Sequence, residues 1–332
     1  MIKIGVIGTS AITKESMLSA LSTKLYKLQV VYSRKLESAQ RFGEQFGVTE
    51  YETDLECFVN REDIDLVYIA SPNASHFSQV CTALKARKHV VVEKPAFVTA
   101  KQWDTALQLA KENNTYLFEA IRTAYEPNFN IVTKTIKNFE KIDGATLNFC
   151  QFSSRIEDVY HGIEHNIFSK EHAGGAIMDL GVYLLHAALS WFGEPTDIDY
   201  DAQLLWTGVD GQGVIRLTYP TFSVYGHISK QVQSYVASEI YTKEMTLSIQ
   251  SIDRITDITL INKKTNEKQI LSVPAHPDRM IAEWQAFFDI LQGKNQEFYQ
   301  ERLQIGRKVT EITEQLRRQV GILFKEDDEE RG

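Results

Sequence analysis

The stretch VVVEKP at 90–95 puts Glu93 and Lys94 at the end of an apolar run. A lysine at the carboxyl end of a buried strand is partly desolvated. That lowers its pKa toward acid–base values, and an adjacent carboxylate can orient it. An exposed ion pair capping a strand has the same composition and contributes little. A second set of candidates lies in GGAIMDLGVYLLHAALSWF, 174–192. Asp179, Tyr183, His186 and Ser190 recur there at i, i+4, i+7 and i+11 of a helix that is otherwise apolar all round. A carboxylate, a phenol and an imidazole on one stripe face either a wet cleft or one another, because buried polar groups are paired. A third set, His161, Glu164, His165 and His172, contains HGIEH, two histidines at i, i+4. That spacing suits a metal, but no HExxH is present, so surface histidines are the expectation and no metal is assigned.

Three strand ends could hold a nucleotide. GVIGTSAIT (5–13) runs from a strand pattern into a helix pattern, where a dinucleotide loop would read G-x-G-x-x-G/A. Here it reads Gly8-x-Ser10-x-x-Thr13, with only the first glycine kept. The candidate loop is Gly8, Thr9, Ser10, Ala11 and Ile12. Ser10 can donate to a phosphate, and Thr13 is a reasonable N-cap. An ordinary capped strand–turn–helix reads the same way. The second strand, LQVVY, ends in Ser33-Arg34-Lys35 where a carboxylate would hold the ribose 2′-hydroxyl of NAD. A guanidinium there offers bidentate hydrogen bonds to a 2′-phosphate, so NADP(H) is expected over NAD(H). A solvated basic turn is the alternative. The third strand exits through Ser71-Pro72-Asn73, turn chemistry, with Asn73 or Ser75 as cap and His76 in the first helical turn.

These candidates need a frame. Apolar runs at 2–7, 28–32, 66–70, 89–93 and 116–120 alternate with helical patterns. One helix in 74–88 carries Phe77, Val80, Cys81 and Leu84 on one face; the next starts at a Thr99 cap and carries Trp103, Ala106, Leu107 and Ala110. Alternation of this kind predicts an α/β domain with a doubly wound parallel sheet over residues 1–121, binding ligand beyond the carboxyl ends of its strands. From 122 to 332 the pattern changes to a helix near 127–139, a strand at 144–153, an apolar helix near 175–192 and successive strands over 197–273. Two helices follow, near 278–292 and 299–319, which can pack back on the first domain. This predicts an α+β domain with an open, mostly antiparallel sheet. The tail KEDDEERG, with five acids in eight residues, reads as frayed solvent-facing chain.

Composition narrows the function classes. The chain has 332 residues, a formal net charge of −8 and 43% hydrophobic residues, an ordinary globular balance. No dense basic cluster argues for nucleic acid or a membrane surface, and no 18-residue apolar run predicts a span. Three scattered cysteines, Cys57, Cys81 and Cys150, read as free thiols in a reducing compartment. The N-terminus enters a strand pattern at once and lacks signal-peptide architecture, so a cytoplasmic location is expected.

The Gly8 loop, SPN-x-x-H at 71–76 and EKP at 93–95, in that order and spacing, resemble the glucose–fructose oxidoreductase / inositol dehydrogenase family, Gfo/Idh/MocA, over nearly the whole chain. The resemblance implies a Rossmann domain, a second domain with an open antiparallel sheet, and NAD(P)-dependent interconversion of a carbinol and a carbonyl. It implies a cis bond before Pro95 and contact of Lys94 with the substrate hydroxyl and the cofactor ribose. AGGAIMDLGVY (173–183) matches GGG-x-x-x-D-x-G-x-(H/Y), with Tyr183 at the position often held by histidine, as in the glucose–fructose oxidoreductase and dimeric dihydrodiol dehydrogenase branches. Lys94 and Tyr183 are then the proton-transfer pair, with either able to deliver the proton, and Asp179 orients; His186 falls outside the motif. EAIRTAYEPNF (119–129) departs from those branches: Arg122 stands at their aromatic position and Ala124 at their arginine. Arg122 remains a substrate candidate, and those branches' substrates do not carry over. A homodimer or homotetramer through the second sheet is also implied. A non-catalytic dinucleotide sensor on this fold is the rival, although a sensor needs none of Lys94, Asp179 and Tyr183.

Overall fold

A computed structural model describes residues 1–327. The chain forms two compact units: 1–122 with 280–307, and 123–279 with the chain from Lys308 on.

In the first unit, β1 (Ile2–Ile7), β2 (Tyr26–Tyr32), β3 (Tyr51–Glu52), β4 (Leu66–Ile69), β5 (His89–Glu93) and β6 (Leu117–Ala120) form one sheet in the order β3-β2-β1-β4-β5-β6. Every pairing is parallel. The near-continuous apolar runs reflect burial on both faces: Leu66–Ile69 and Val90–Val92 are all fully buried. The order reverses beside β1, between the two halves, which makes the carboxyl ends of β1 and β4 the ligand crevice of such a sheet. Helices Ala11–Ser22, His76–Lys85 and Ala100–Glu112 cover it. The Thr99 side chain caps the last of these by accepting from the Gln102 N–H. Trp103, Ala106 and Ala110 of that helix join Phe97, Val80 and Leu84 in the core. Helix Ile281–Leu291 belongs to this unit too. Its Trp284 packs edge-on against Tyr26 and donates from Nε1 to Ser16 Oγ at 3.0 Å.

In the second unit, β7 (Gly144–Cys150), β8 (Asp197–Leu204), β9 (Asp210–Thr218), β10 (Ser223–Ser229), β11 (Ser238–Tyr241), β12 (Met245–Gln250), β13 (Asp257–Asn262) and β14 (Lys268–Ile270) form an eight-stranded sheet ordered β14-β13-β12-β11-β7-β10-β9-β8. All neighbours are antiparallel except β7 and β10. Strands such as β9 and β10 alternate buried and exposed residues, as one solvated face requires. The expected apolar helix is Ile177–Phe192, but its first turn, Ile177–Gly181, is a π-turn and the α-helix begins at Val182. Leu184 and Ile228, from this helix and β10, fill the covered side of the sheet.

The tail departs from its expected fraying as far as it is described. Lys325–Asp327 form a helical turn, and Asp327 is buried, bonded to Arg317 at 2.5 and 2.7 Å and to Arg318 at 2.8 Å. The acids of 328–330 lie outside the described residues.

Candidate active site

The loop after β1 starts with backbone geometry only glycine tolerates. Gly8 has φ +110°, and a Cβ there would stand 2.6 Å from the Ala70 carbonyl oxygen at the end of β4. The loops after β1 and β4 therefore lie flush. Ser10, in extended conformation, is the N-cap: its Oγ accepts from the Thr13 N–H at 3.4 Å and lies 2.9 Å from Thr13 Oγ1. This corrects the expectation that Thr13 caps; it is buried in the first turn because the helix opens two residues earlier, at Ala11. Thr9, Ser10 and Ala11 are exposed and Ile12 is half-buried. An exposed helix N-terminus beside a flush glycine loop fits a pyrophosphate. After β2, Ser33 is half-buried, and Arg34 and Lys35 are exposed.

After β4, Asn73–Ser75 form a 3-10 turn, and the helix from His76 has no side-chain cap from Ser75. Ser71 Oγ donates to Gln79 Oε1 at 2.7 Å. His76 is not a surface residue. It is 1% exposed, with Nδ1 3.0 Å from the Pro95 carbonyl oxygen and Nε2 2.9 Å from that of Ser71. Burial pushes the imidazole pKa down, and the surrounding carbonyls act in the opposite sense. His76 thus ties the loop after β4 to the loop carrying Lys94.

That second loop is held from further sides. Glu93 is buried, and the Tyr68 hydroxyl on neighbouring β4 donates to its Oε1 at 2.6 Å. Burial pushes the Glu93 carboxyl up. The Tyr68 bond and the positive charges of Lys94 and Arg122 pull it back only in part. Burial likewise raises the Tyr68 phenol well above its ordinary value, reinforced by the Glu93 charge. On β6, Glu119 Oε1 accepts from the Ala96 N–H at 2.9 Å. The Lys94–Pro95 peptide is cis. Lys94 itself is half-buried between these anchored neighbours. Arg122, just past β6, is buried and within electrostatic reach of Glu93. Glu93, Lys94, His76 and Arg122 therefore gather at one edge of the first unit.

Asp179 and Tyr183 lie in the second unit. Asp179 sits in the π-turn, where each residue advances less around the axis than in an α-helix, so its offset from Tyr183 is not that of an α-helical i, i+4 pair. The Asp179 side chain is 36% exposed and pairs with the Lys230 ammonium. Tyr183 is buried, its ring edge-on to Phe149 at 5.6 Å. His186 is buried on the same helix. The histidines of 161–172 do not converge: His161 Nδ1 lies 2.7 Å from the Glu157 carbonyl oxygen and His165 Nε2 2.8 Å from Asp158. Among the described residues no group of three metal-ligating side chains occurs.

Residues 2–120 match the model of the oxidoreductase family with NAD-binding Rossmann fold, GFO_IDH_MocA, and residues 148–248 match the GFO/IDH/MocA C-terminal domain. The chain belongs to the Gfo/Idh/MocA oxidoreductase family. Within it, the chain is 36% identical over 327 residues to the uncharacterized oxidoreductase YgjR of Escherichia coli, covering 98% of this chain and 99% of that protein. It is 31% identical, with the same coverage, to the scyllo-inositol 2-dehydrogenase (NADP(+)) IolU of Bacillus subtilis. Among solved structures, the 3-ketoreductase KijD10 of Actinomadura kijaniata in complex with NADP and TDP-benzene superposes with a TM-score of 0.82 at 21% identity, covering 96% of this chain and 97% of that one. This likeness is one of fold.

Sequence reasoning missed Tyr68, Glu119 and Lys230. Each left a trace: Tyr68 and Glu119 are polar breaks inside otherwise apolar strand runs, and Lys230 directly follows β10 much as Lys94 directly follows β5. A polar residue in or at the end of a buried strand needs a partner, and the fold supplies it.

Proposed function

We propose that the protein is an NADP(H)-dependent oxidoreductase that transfers a hydride between the nicotinamide and a carbon bearing a hydroxyl or carbonyl, on a polyol, sugar or similar small molecule. The observation that carries this reading is the triple anchoring of the loop after β5. Lys94 is a half-buried amine on a loop fixed by Tyr68–Glu93, His76 and Glu119, as an acid–base group needs to be. Lys94 and Tyr183 serve as the proton-transfer pair at the substrate oxygen: in oxidation one of them takes the hydroxyl proton, and in reduction it returns one. Asp179 orients the substrate, and Arg122 is the remaining candidate contact.

Gly8, Thr9, Ser10, Ala11 and Ile12 receive the pyrophosphate, and Ser71, Pro72 and Asn73 border the same crevice. His76 and Glu93 act by holding Lys94. Ser33, Arg34 and Lys35 select the 2′-phosphate. In support, Arg34 is exposed and makes no ion pair among the described residues, so its guanidinium is available. The 31% identical relative, a scyllo-inositol 2-dehydrogenase (NADP(+)), agrees in its cofactor with this preference and in its substrate with a polyol. The exposed face of the second unit's sheet serves a homodimer or homotetramer.

Fluorescence titration tests the cofactor assignment. NADPH binds at least about tenfold more tightly than NADH, and Arg34→Ala removes most of that difference. Equal or tighter NADH binding contradicts it. Screening NADPH oxidation and NADP reduction against inososes, inositols, sugars and small aldehydes then tests the substrate class; no turnover across the panel counts against it.

A further inference from the structure

Lys230, directly after β10, is 2% exposed. An ammonium so far from water costs several kcal/mol unless it is paired. Three groups surround it. Its Nζ bonds Asp179 Oδ2, lies 5.0 Å over the Phe168 ring, and its charge reaches Asp210 on β9. Asp210 is fully buried and already engaged: its Oδ2 accepts from the Tyr200 hydroxyl at 2.5 Å and from the Ile177 N–H at 2.7 Å. Asp179 is thus the direct ion-pair partner of Lys230. The pair has a dry end, the ammonium, and a wet end, a carboxylate whose side chain is 36% exposed.

We propose that Lys230 is a positioning residue for the reaction, which holds Asp179 ionised and fixed in orientation at the substrate. This rests on the oxidoreductase reading, which places Asp179 beside the substrate. A carboxylate locked in its charged form only accepts hydrogen bonds. It therefore recognises a substrate that carries a hydroxyl beyond the reacting one, a polyol or a sugar, and gives nothing to a simple aldehyde or ketone. The pair also leaves proton transfer to Lys94 and Tyr183, since Asp179 has no proton to donate.

The first test needs no turnover. In protein carrying 13C-labelled aspartate carboxyls, the Asp179 signal is the one that Asp179→Asn removes. Lys230→Met raises its titration midpoint by about one pH unit or more, and Lys230→Arg leaves it near that of the parent. If Lys230→Met does not fold, Lys230→Gln serves the same comparison. The second test uses a turned-over polyol or sugar. Lys230→Met lowers kcat/KM by up to about 10²-fold, the cost of a misplaced site group, and Lys230→Arg restores most of it. In an Asp179→Asn background, Lys230→Met adds less than about twofold, because a residue acting through Asp179 has nothing left to act on. An Asp179 midpoint unmoved by Lys230→Met overturns the proposal, as do equal losses with and without Asp179. A moved midpoint in a protein that turns over nothing in the panel supports the positioning role and counts against the oxidoreductase reading instead.

Discussion

Glu93 shows how a single side chain trades stability for position. Its carboxyl is raised by burial, with the Tyr68 bond and the Lys94 and Arg122 charges only partly compensating. A carboxyl raised in the folded state binds its proton more tightly there than in the unfolded chain. Stability is therefore lost as pH rises from the unfolded value, about 4.3, through the higher folded one. Glu93→Gln removes that loss. The variant is expected to melt at or above the wild-type temperature at pH 7, with its advantage growing between pH 4 and 7. Its turnover falls by up to about 10²-fold as the anchoring of Lys94 loosens. Thermal melts across pH, paired with turnover, check this; a variant that is both less stable at pH 7 and fully active contradicts it. The Glu93–Lys94 pair was legible in the sequence as two charges at the end of a buried run. Its anchors were not, because Tyr68, His76 and Glu119 are distant in sequence and converge only through sheet order.

At the scale of elements, periodicity read well where one face decides the pattern. All the first-unit strands were foreseen except β3, whose two residues give no period to read. The helix carrying Asp179 and Tyr183 was foreseen as continuous α-helix, but side-chain pattern does not distinguish a π-turn from an α-turn within a mostly apolar segment. The missed cap at Ser10 has a similar cause: Ser10 and Thr13 are both good caps, and backbone conformation chose between them. The C-terminal turn was misread on composition alone. Burial would raise the Asp327 carboxyl, but the Arg317 and Arg318 guanidinium groups and the Phe324 N–H outweigh it and hold it below the usual carboxylate range. Arg317 is 0% exposed, so Asp327→Ala leaves a buried cation poorly compensated and costs about 3 kcal/mol. A carboxyl lowered in the folded state contributes above its unfolded value, about 3.9, and loses that contribution as pH falls through the lower folded one. Urea unfolding should therefore show a constant gap between wild type and variant from pH 5 to 8 that closes in more acid solution. A gap below about 0.5 kcal/mol at pH 7 would show the pair to be idle.

For the molecule as a whole, the division of labour follows from the two sheets. The parallel sheet is buried on both faces and offers its strand ends; the eight-stranded sheet leaves one face partly open. Val214 on β9 and Tyr225 on β10 are 43% and 50% exposed. If that face joins subunits, light scattering finds a dimer or tetramer, and Tyr225→Glu weakens association by about tenfold or more; a monomer at high micromolar concentration removes the proposal. Fold class and family were legible early because strand–helix alternation and the EKP block extend over long stretches. The substrate was not, because selectivity depends on side chains brought together from separate segments. The central claim, that Lys94 moves the proton accompanying hydride transfer, is tested most directly by steady-state turnover of Lys94→Ala with NADP(H) and the best substrate of the panel. A fall of about 10²–10⁴-fold in kcat is predicted; turnover within about threefold of wild type would contradict it.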